Sequence, residues 1–303
     1  MVTDSHNSGF FSPERQLVEE DDAPLMEIGH SDGPFVLYKC SRQGRIVVLK
    51  CIREQFHDNP LYWDMLRKEF EIGHSLNHPN IREYHSLSDH PRFGICIEME
   101  WIDGDPLEKL LPECRKDAAF RDKIARQLLD AIRFLHLKQV IHRDLKPENI
   151  LISRNGRNVK LIDFSLSDSD SHLVLKGNAG TARYASPEQM ECRPTDLRSD
   201  IYSLGVILGE MSDSRRFRKV SQICTQRNPD ARYPDIDSLA KALFAPSILV
   251  PGIAAAILAL AFAATVIWIT QPEEEEVVEI EAIEEIFRQA TDLVEESDVN
   301  PRN

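Results

Sequence analysis

The chain has no surplus of positive charge. Its 36 Lys and Arg stand against 50 Asp and Glu, a net charge of −14 over 303 residues. No basic patch of the kind that follows a nucleic-acid backbone stands out, so no nucleic-acid partner is expected. Cysteines are few and scattered. Cys40, Cys51, Cys96, Cys114, Cys192 and Cys224 lack the paired spacing of a metal site. Buried free thiols in a reducing compartment are the expected state. The histidines show no metal-ligand spacing either. The first twenty residues have no apolar stretch behind a basic lead, so they do not read as a secretory signal. Residues 1–22 read as a disordered N-terminus. No internal repeat is visible.

The acidity that is present is local. Residues 271–303 hold 12 acids and two bases, a charge of −10, which leaves about −4 for the rest. Just before that tail, Ile248 to Thr270 form 23 residues without a charge. As a helix they would be about 34 Å long, against a bilayer core of about 30 Å. Pro251 falls near the start, where a helix tolerates it, and Trp268 near the end, as interfacial Trp often does. A buried core helix is the other reading of the same run. Arg215, Arg216, Arg218, Lys219, Arg227, Arg232 and Lys241 precede it and Glu273 to Glu276 follow. That asymmetry places the N-terminal side in the cytoplasm and the tail outside. Ala255, Ala259 and Ala263 make a small-residue stripe. Ile280, Ile283, Phe287, Ala290 and Val294 alternate three and four apart, like a short coiled-coil seam. Both features would suit a homodimer, which the tail's charge opposes.

The densest chemistry lies in Ile141-His142-Arg143-Asp144-Leu145-Lys146-Pro147-Glu148-Asn149, with Asp163 14 residues further on. Phosphoryl transfer asks a protein for a carboxylate to take a hydroxyl proton, oxygen ligands for Mg²⁺ and cations for the phosphates. Asp144 fits the base, Lys146 the cation, and Asn149 and Asp163 the hard oxygen ligands. Ile150–Ser153 and 158–162 flank Asn155-Gly156, a strong hairpin signal that would return Asp163 to the side of Asn149.

These residues resemble the protein kinase family, and the likeness extends over roughly residues 23–245. The H-R-D-L-K-P-E-N loop is intact, with Lys146 in the form seen in Ser/Thr kinases. Ile46-Val47-Val48-Leu49-Lys50 resembles the third strand with its phosphate-binding Lys. Glu69, nine residues before His78-Pro79-Asn80-Ile81, sits where the family places the αC Glu that pairs with that Lys. Glu98 to Ile102 resemble the last strand and hinge, with Met99 as gatekeeper and Glu100 and Ile102 at the nucleotide. Gly180-Thr181 and Ser186-Pro187-Glu188 resemble the end of an activation segment, with Arg232 as the partner of Glu188. Asp200 to Gly205 resemble the buried start of αF. His142 is expected to pack rather than to move protons. The resemblance implies an α+β, two-lobed fold with a small strand-rich N-lobe and a helical C-lobe, ATP and Mg²⁺ as cofactors, and Ser or Thr hydroxyls of unidentified proteins as acceptors. With residues 248–270 as a transmembrane helix, the chain reads as a membrane-anchored bacterial kinase of the eukaryotic-like type.

Four departures from the family pattern stand out. The glycine-rich loop is reduced to Gly29 and Gly33, with Asp32 between them, which predicts weak ATP binding. The metal-binding motif ends in Ser165 instead of Gly. Gly73 stands where αC usually carries a larger apolar residue, which implies a void or a substitute. Only about eight residues separate Met211 from the helix near Val220, too few for the usual αG. Two other readings remain: a pseudokinase scaffold, and a small-molecule kinase, against which Lys146, the Ser-Pro-Glu run and Arg232 speak. The serines at 165, 167, 169 and 171 could be modified or simply solvated. Thr181 reads as structural. Of the local elements, the spacing predicts helices over Leu61–Leu76 and Ala118–Leu137. Asp105-Pro106 reads as a helix start.

Overall fold

The computed structural model describes residues 26–28, 33–165, 167, 182–245, 249–270 and 283–289, with side chains from 257 onward in the helix that starts at 249. Up to Ala245 the chain forms one compact unit, and Pro246–Asn303 a second.

The first unit opens with a five-stranded antiparallel sheet. β1 (Met26–Ile28), β2 (Phe35–Arg42), β3 (Arg45–Ile52), β4 (Tyr84–His90) and β5 (Gly94–Glu100) lie in the order β1-β2-β3-β5-β4. β3 is its middle strand and is rich in β-branched residues. Val47 to Ile52 are all buried, because this strand has neighbours on both edges and cover on both faces. α1 (Pro60–His74) lies against the sheet. Asn59 caps it, accepting from the Leu61 amide, and Pro60 takes the first helical position, where a missing N–H costs nothing. The expected helix over Leu61–Leu76 thus begins one residue earlier and stops two short. Its buried stripe is Met65, Leu66, Glu69 and Gly73, while Leu61 is exposed.

A second antiparallel sheet joins β6 (Gly104–Pro106), β7 (Ile150–Ser153) and β8 (Val159–Leu161). The helix start expected at Asp105-Pro106 falls one residue later. A residue before proline is pushed toward extended backbone, and Asp105 pairs with Ile152 in the ladder. Pro106 becomes the extended N-cap of α2 (Leu107–Lys116). α3 (Ala118–Leu137) has the expected bounds: Asp117 accepts from the Phe120 amide, and Phe120, Ile124, Leu128, Ile132 and Leu135 are buried along one side.

α4 (Pro187–Met190), α5 (Arg198–Met211), α6 (Arg215–Cys224) and α7 (Ile236–Phe244) complete the helical part. Only Ser212 to Ser214 separate α5 from α6, so no helix intervenes there. α6 packs directly on α5. A Cβ on Gly205 would fall 2.2 Å from the Cys224 Cβ, and one on Gly209 2.6 Å from the Ser221 hydroxyl. One apolar core runs through both parts and includes Val48, Leu66, Met99, Leu128, Phe164 and Leu208.

The expectation of free thiols is corrected at one pair. Cys51 on β3 faces Cys96 on β5 in register with Cα atoms 4.5 Å apart, and the two form a disulfide. Strand pairing brings together residues 45 positions apart, which sequence spacing does not reveal. Cys40, Cys114 and Cys224 are free and buried, and Cys192 is free and exposed.

In the second unit α8 spans Leu249–Thr270, and a short helix covers 283–289. Leu258, Leu260, Phe262 and Trp268 are each at least 70% exposed. Side chains are described only over 257–270 of this helix, and among the described residues no helix is long and apolar enough to cross a membrane, so the span expected over 248–270 is not shown. Of the expected seam, Ile283 and Phe287 are exposed helical residues. Ile280, Ala290 and Val294 lie outside the described residues.

Candidate active site

β3 places Lys50 opposite Leu37 and Ile97. Its Nζ lies 2.6 Å from Glu69 Oε2 on α1 and 3.2 Å from Asp163 Oδ1. Burial opposes the charge on Lys50, but the Asp163 and Glu69 carboxylates outweigh it and raise its pKa well above the usual lysine range. Burial pushes Glu69 upward against the pull of Lys50. With Lys50 on one oxygen and the Tyr84 hydroxyl 3.1 Å from the other, the ionised pair is the state this geometry holds. Burial would raise Asp163 too, yet Lys50 and Ser165 hold it far below the carboxylate range.

The hairpin does what its sequence predicts. Gly156 adopts φ +75°, which a glycine accepts freely. β8 returns the chain so that the Ile162 amide donates to Asn149 O at 3.0 Å. Asp163 itself sits at φ +67°, a rare backbone for a non-glycine residue and one that marks a constrained site. Ser165, in the place of the family's glycine, donates its hydroxyl to Asp163 Oδ1 at 2.7 Å, and its own side chain thereby braces the carboxylate.

Asp144 is 8% exposed and held from two sides. Lys146 Nζ donates to its Oδ2 at 2.8 Å and Asn149 Nδ2 at 2.9 Å. Burial raises the Asp144 carboxyl, and Lys146 opposes it. The loop is pinned from below by Asp200, in the first turn of α5 and fully buried. Its carboxylate accepts from the His142 and Arg143 amides, both at 2.9 Å, and His136 Nε2 lies 3.0 Å away. His142 packs its ring 5.2 Å from that of Phe164. Arg143 donates to Thr195 Oγ1 at 3.2 Å and to the Ser167 carbonyl. Glu188 and Arg232 meet as expected, in a two-pronged pair at 2.7 and 2.8 Å.

Six of the ten residues singled out in the sequence thus form two adjoining groups: Lys50, Glu69 and Asp163, and Asp144, Lys146 and Asn149. Gly33 stands in a bend ahead of β2. Glu100, at the end of β5, accepts from Lys160 Nζ at 2.9 Å and from the Glu83 amide at 3.2 Å. Ile102 is buried just beyond that strand. Gly29, Asp32, Ser169, Ser171 and Thr181 lie outside the described residues. Among the described residues no group of three or more His, Cys, Asp and Glu could hold a metal ion. Asn149 donates through Nδ2, which leaves its Oδ1 as an acceptor, an oxygen of the type that Mg²⁺ prefers.

Three neighbours of the site have roles that the sequence does not announce. The family likeness marks Asp200 as the buried start of αF and says nothing of its hold on the His142 and Arg143 amides. Tyr84 looks like an ordinary core residue. Arg82 is 7% exposed with its Nε unpartnered among the described residues. Burial lowers its pKa, while Tyr84, Asp163, Glu100 and Glu69 oppose that shift.

A family profile described as the protein kinase domain matches residues 26–240. A probable serine/threonine-protein kinase of Streptomyces coelicolor is 34% identical over 180 residues, 56% of this chain and 27% of that protein. The serine/threonine-protein kinase PrkC of Bacillus subtilis is 33% identical over 178 residues, 56% of this chain and 27% of its own. The serine/threonine-protein kinases PknA of Corynebacterium glutamicum show 32% identity over 180 residues, 57% of this chain and 38% of theirs. The matched region is therefore well under half the length of these relatives.

Proposed function

The chain belongs to the protein kinase family, and from that premise we propose that it transfers the γ-phosphoryl group of ATP to serine and threonine hydroxyls of proteins, its own included. The observation that carries this reading is the unbroken pair of charge groups, with Lys50 between Glu69 and Asp163 and with Asp144 between Lys146 and Asn149. In this reading Lys50 holds the phosphates, and Glu69 keeps Lys50 extended. Asp144 Oδ2 is occupied by its two donors, which leaves Oδ1 to accept the proton of the incoming hydroxyl. Lys146 lies close enough to meet charge developing on the transferred group. Asn149 Oδ1 and Asp163 would hold Mg²⁺, which when bound neutralises phosphate charge. Glu100 and Ile102, at the end of β5, would receive the adenine. Gly29 and Gly33 would cover the phosphates, weakly because few glycines remain and Asp32 repels them. The proposed kinase domain is 23–245.

Asp163→Ala tests the metal assignment. Labelled phosphate transfer should fall by at least about a hundredfold, as expected when an electrostatic stabiliser of the transition state is lost, and added Mg²⁺ should no longer tighten ATP binding. Equal transfer by variant and wild type would place the chemistry elsewhere.

The membrane is the second part of the proposal. The uncharged run 248–270, the exposed apolar side chains of α8 and the bases before it support a single span with the kinase domain in the cytoplasm and the acidic tail outside. Pairing of two copies through the alanine stripe and the Ile283–Phe287 seam would let neighbours phosphorylate each other. Protease added outside intact cells should remove only the tail. Release of the chain by alkaline carbonate would contradict the span.

A further inference from the structure

Gly73 lies one turn after Glu69 on α1, and its missing side chain is matched by Tyr84. A Cβ built on Gly73 would stand 2.6 Å from Tyr84 Cγ and Cδ2 and 2.7 Å from Cε2, nearer than real Cβ atoms come to any ring. Tyr84 starts β4, opposite Met99, and is 4% exposed. Its ring therefore occupies the volume that a larger residue on α1 would claim. The same ring lies 6.0 Å from Phe164, beside Asp163, and Phe164 lies 5.2 Å from the ring of His142. Tyr84 O is 2.8 Å from His74 Nδ1, which fastens the strand to the end of α1.

The hydroxyl extends this packing into the charged site. It donates to Glu69 Oε1 at 3.1 Å, while Glu69 Oε2 faces Lys50 at 2.6 Å. A buried carboxylate needs both oxygens satisfied. With Oε1 taken by Tyr84, the carboxylate is held in the rotamer that presents Oε2 to Lys50. An apolar residue at position 84 could fill the space beside Gly73 but could not make this bond.

We propose that Tyr84 is a positioning residue for Glu69: its ring replaces the side chain absent at Gly73, and its hydroxyl orients the carboxylate that holds Lys50. The proposal rests on the phosphoryl-transfer reading above, because Lys50 matters through the phosphates it binds. The two halves of the device separate by substitution. Tyr84→Phe keeps the ring and removes the bond. Tyr84→Leu opens a hole beside Gly73. Gly73→Leu overfills the space. Gly73→Leu with Tyr84→Leu exchanges the two volumes.

Melting temperature, ATP affinity by calorimetry and phosphate transfer are measured on the full-length chain. Tyr84→Phe should melt close to wild type while kcat falls about tenfold, the size expected for a hydrogen bond to a charged group, and ATP affinity should fall with it. Each leucine single variant should lose melting temperature. The double variant should regain much of that loss, with transfer no better than in Tyr84→Phe. Full activity in Tyr84→Phe overturns the orienting role. A double variant no more stable than either single overturns the volume exchange. If wild type binds ATP but transfers nothing, the functional reading fails and the affinities decide the orienting role. If wild type binds no nucleotide, both the functional reading and the positioning role fail, and the melting temperatures alone judge the packing.

Discussion

The Glu188–Arg232 pair is the residue-scale contact whose energetics are easiest to isolate. Arg232 is fully buried and Glu188 4% exposed, and the guanidinium meets the carboxylate with both prongs. Burial would raise the Glu188 carboxyl, but Arg232 brings it from 4.5 down to about 2. Because the folded value is depressed, its contribution is complete above about pH 4.5 and is lost as pH falls toward 2. The shift corresponds to on the order of 3 kcal/mol. Urea unfolding across pH should therefore show Glu188→Gln less stable near neutrality, with the gap closing on the acid side. A gap unchanged down to pH 2 would mean that the pair's charge is not what stabilises it. At this scale the sequence was informative where a motif carries the residue. Lys50, Glu69, Asp144 and Asp163 follow from strand, loop and spacing. The contacts of Tyr84 with Glu69 and of Asp200 with the His142 and Arg143 amides do not, since no motif marks those pairings.

At the scale of elements, sequence legibility followed local signals. α3 is bounded as expected because Asp117 caps it and its apolar period is unbroken. The β7–β8 turn follows from Asn155-Gly156. The helix at Asp105-Pro106 starts one residue later than its cap signal implies, because Gly104–Pro106 become a strand when β7 offers a ladder, a tertiary fact. The short connection from α5 to α6 was visible as missing length, but the device that permits it was not. Gly205 and Gly209 let α6 lie on α5 with no intervening helix. Gly205→Ala should cost roughly 1–3 kcal/mol as overpacking, read as a lower urea midpoint with an unchanged slope. Stability equal to wild type would show that Cys224 yields easily.

At the scale of the molecule, the folded unit carries the chemistry and the acidity is concentrated beyond it, in residues 271–303. Glu69, Asp144, Asn149 and Asp163 come from a helix, a loop and a strand end that only the two-lobed fold assembles. The central claim is that this assembly moves phosphate. The most direct measurement is incorporation of labelled phosphate into Ser and Thr by the purified full-length chain with Mg²⁺ and ATP, beside Asp144→Asn. Wild type should label a protein substrate or itself. The variant should lose at least about a hundredfold, as when a general base is removed, while still melting near wild type and binding ATP. Equal labelling by the two would contradict the role of Asp144, and a wild type that binds ATP with Mg²⁺ yet labels nothing would make the chain a scaffold.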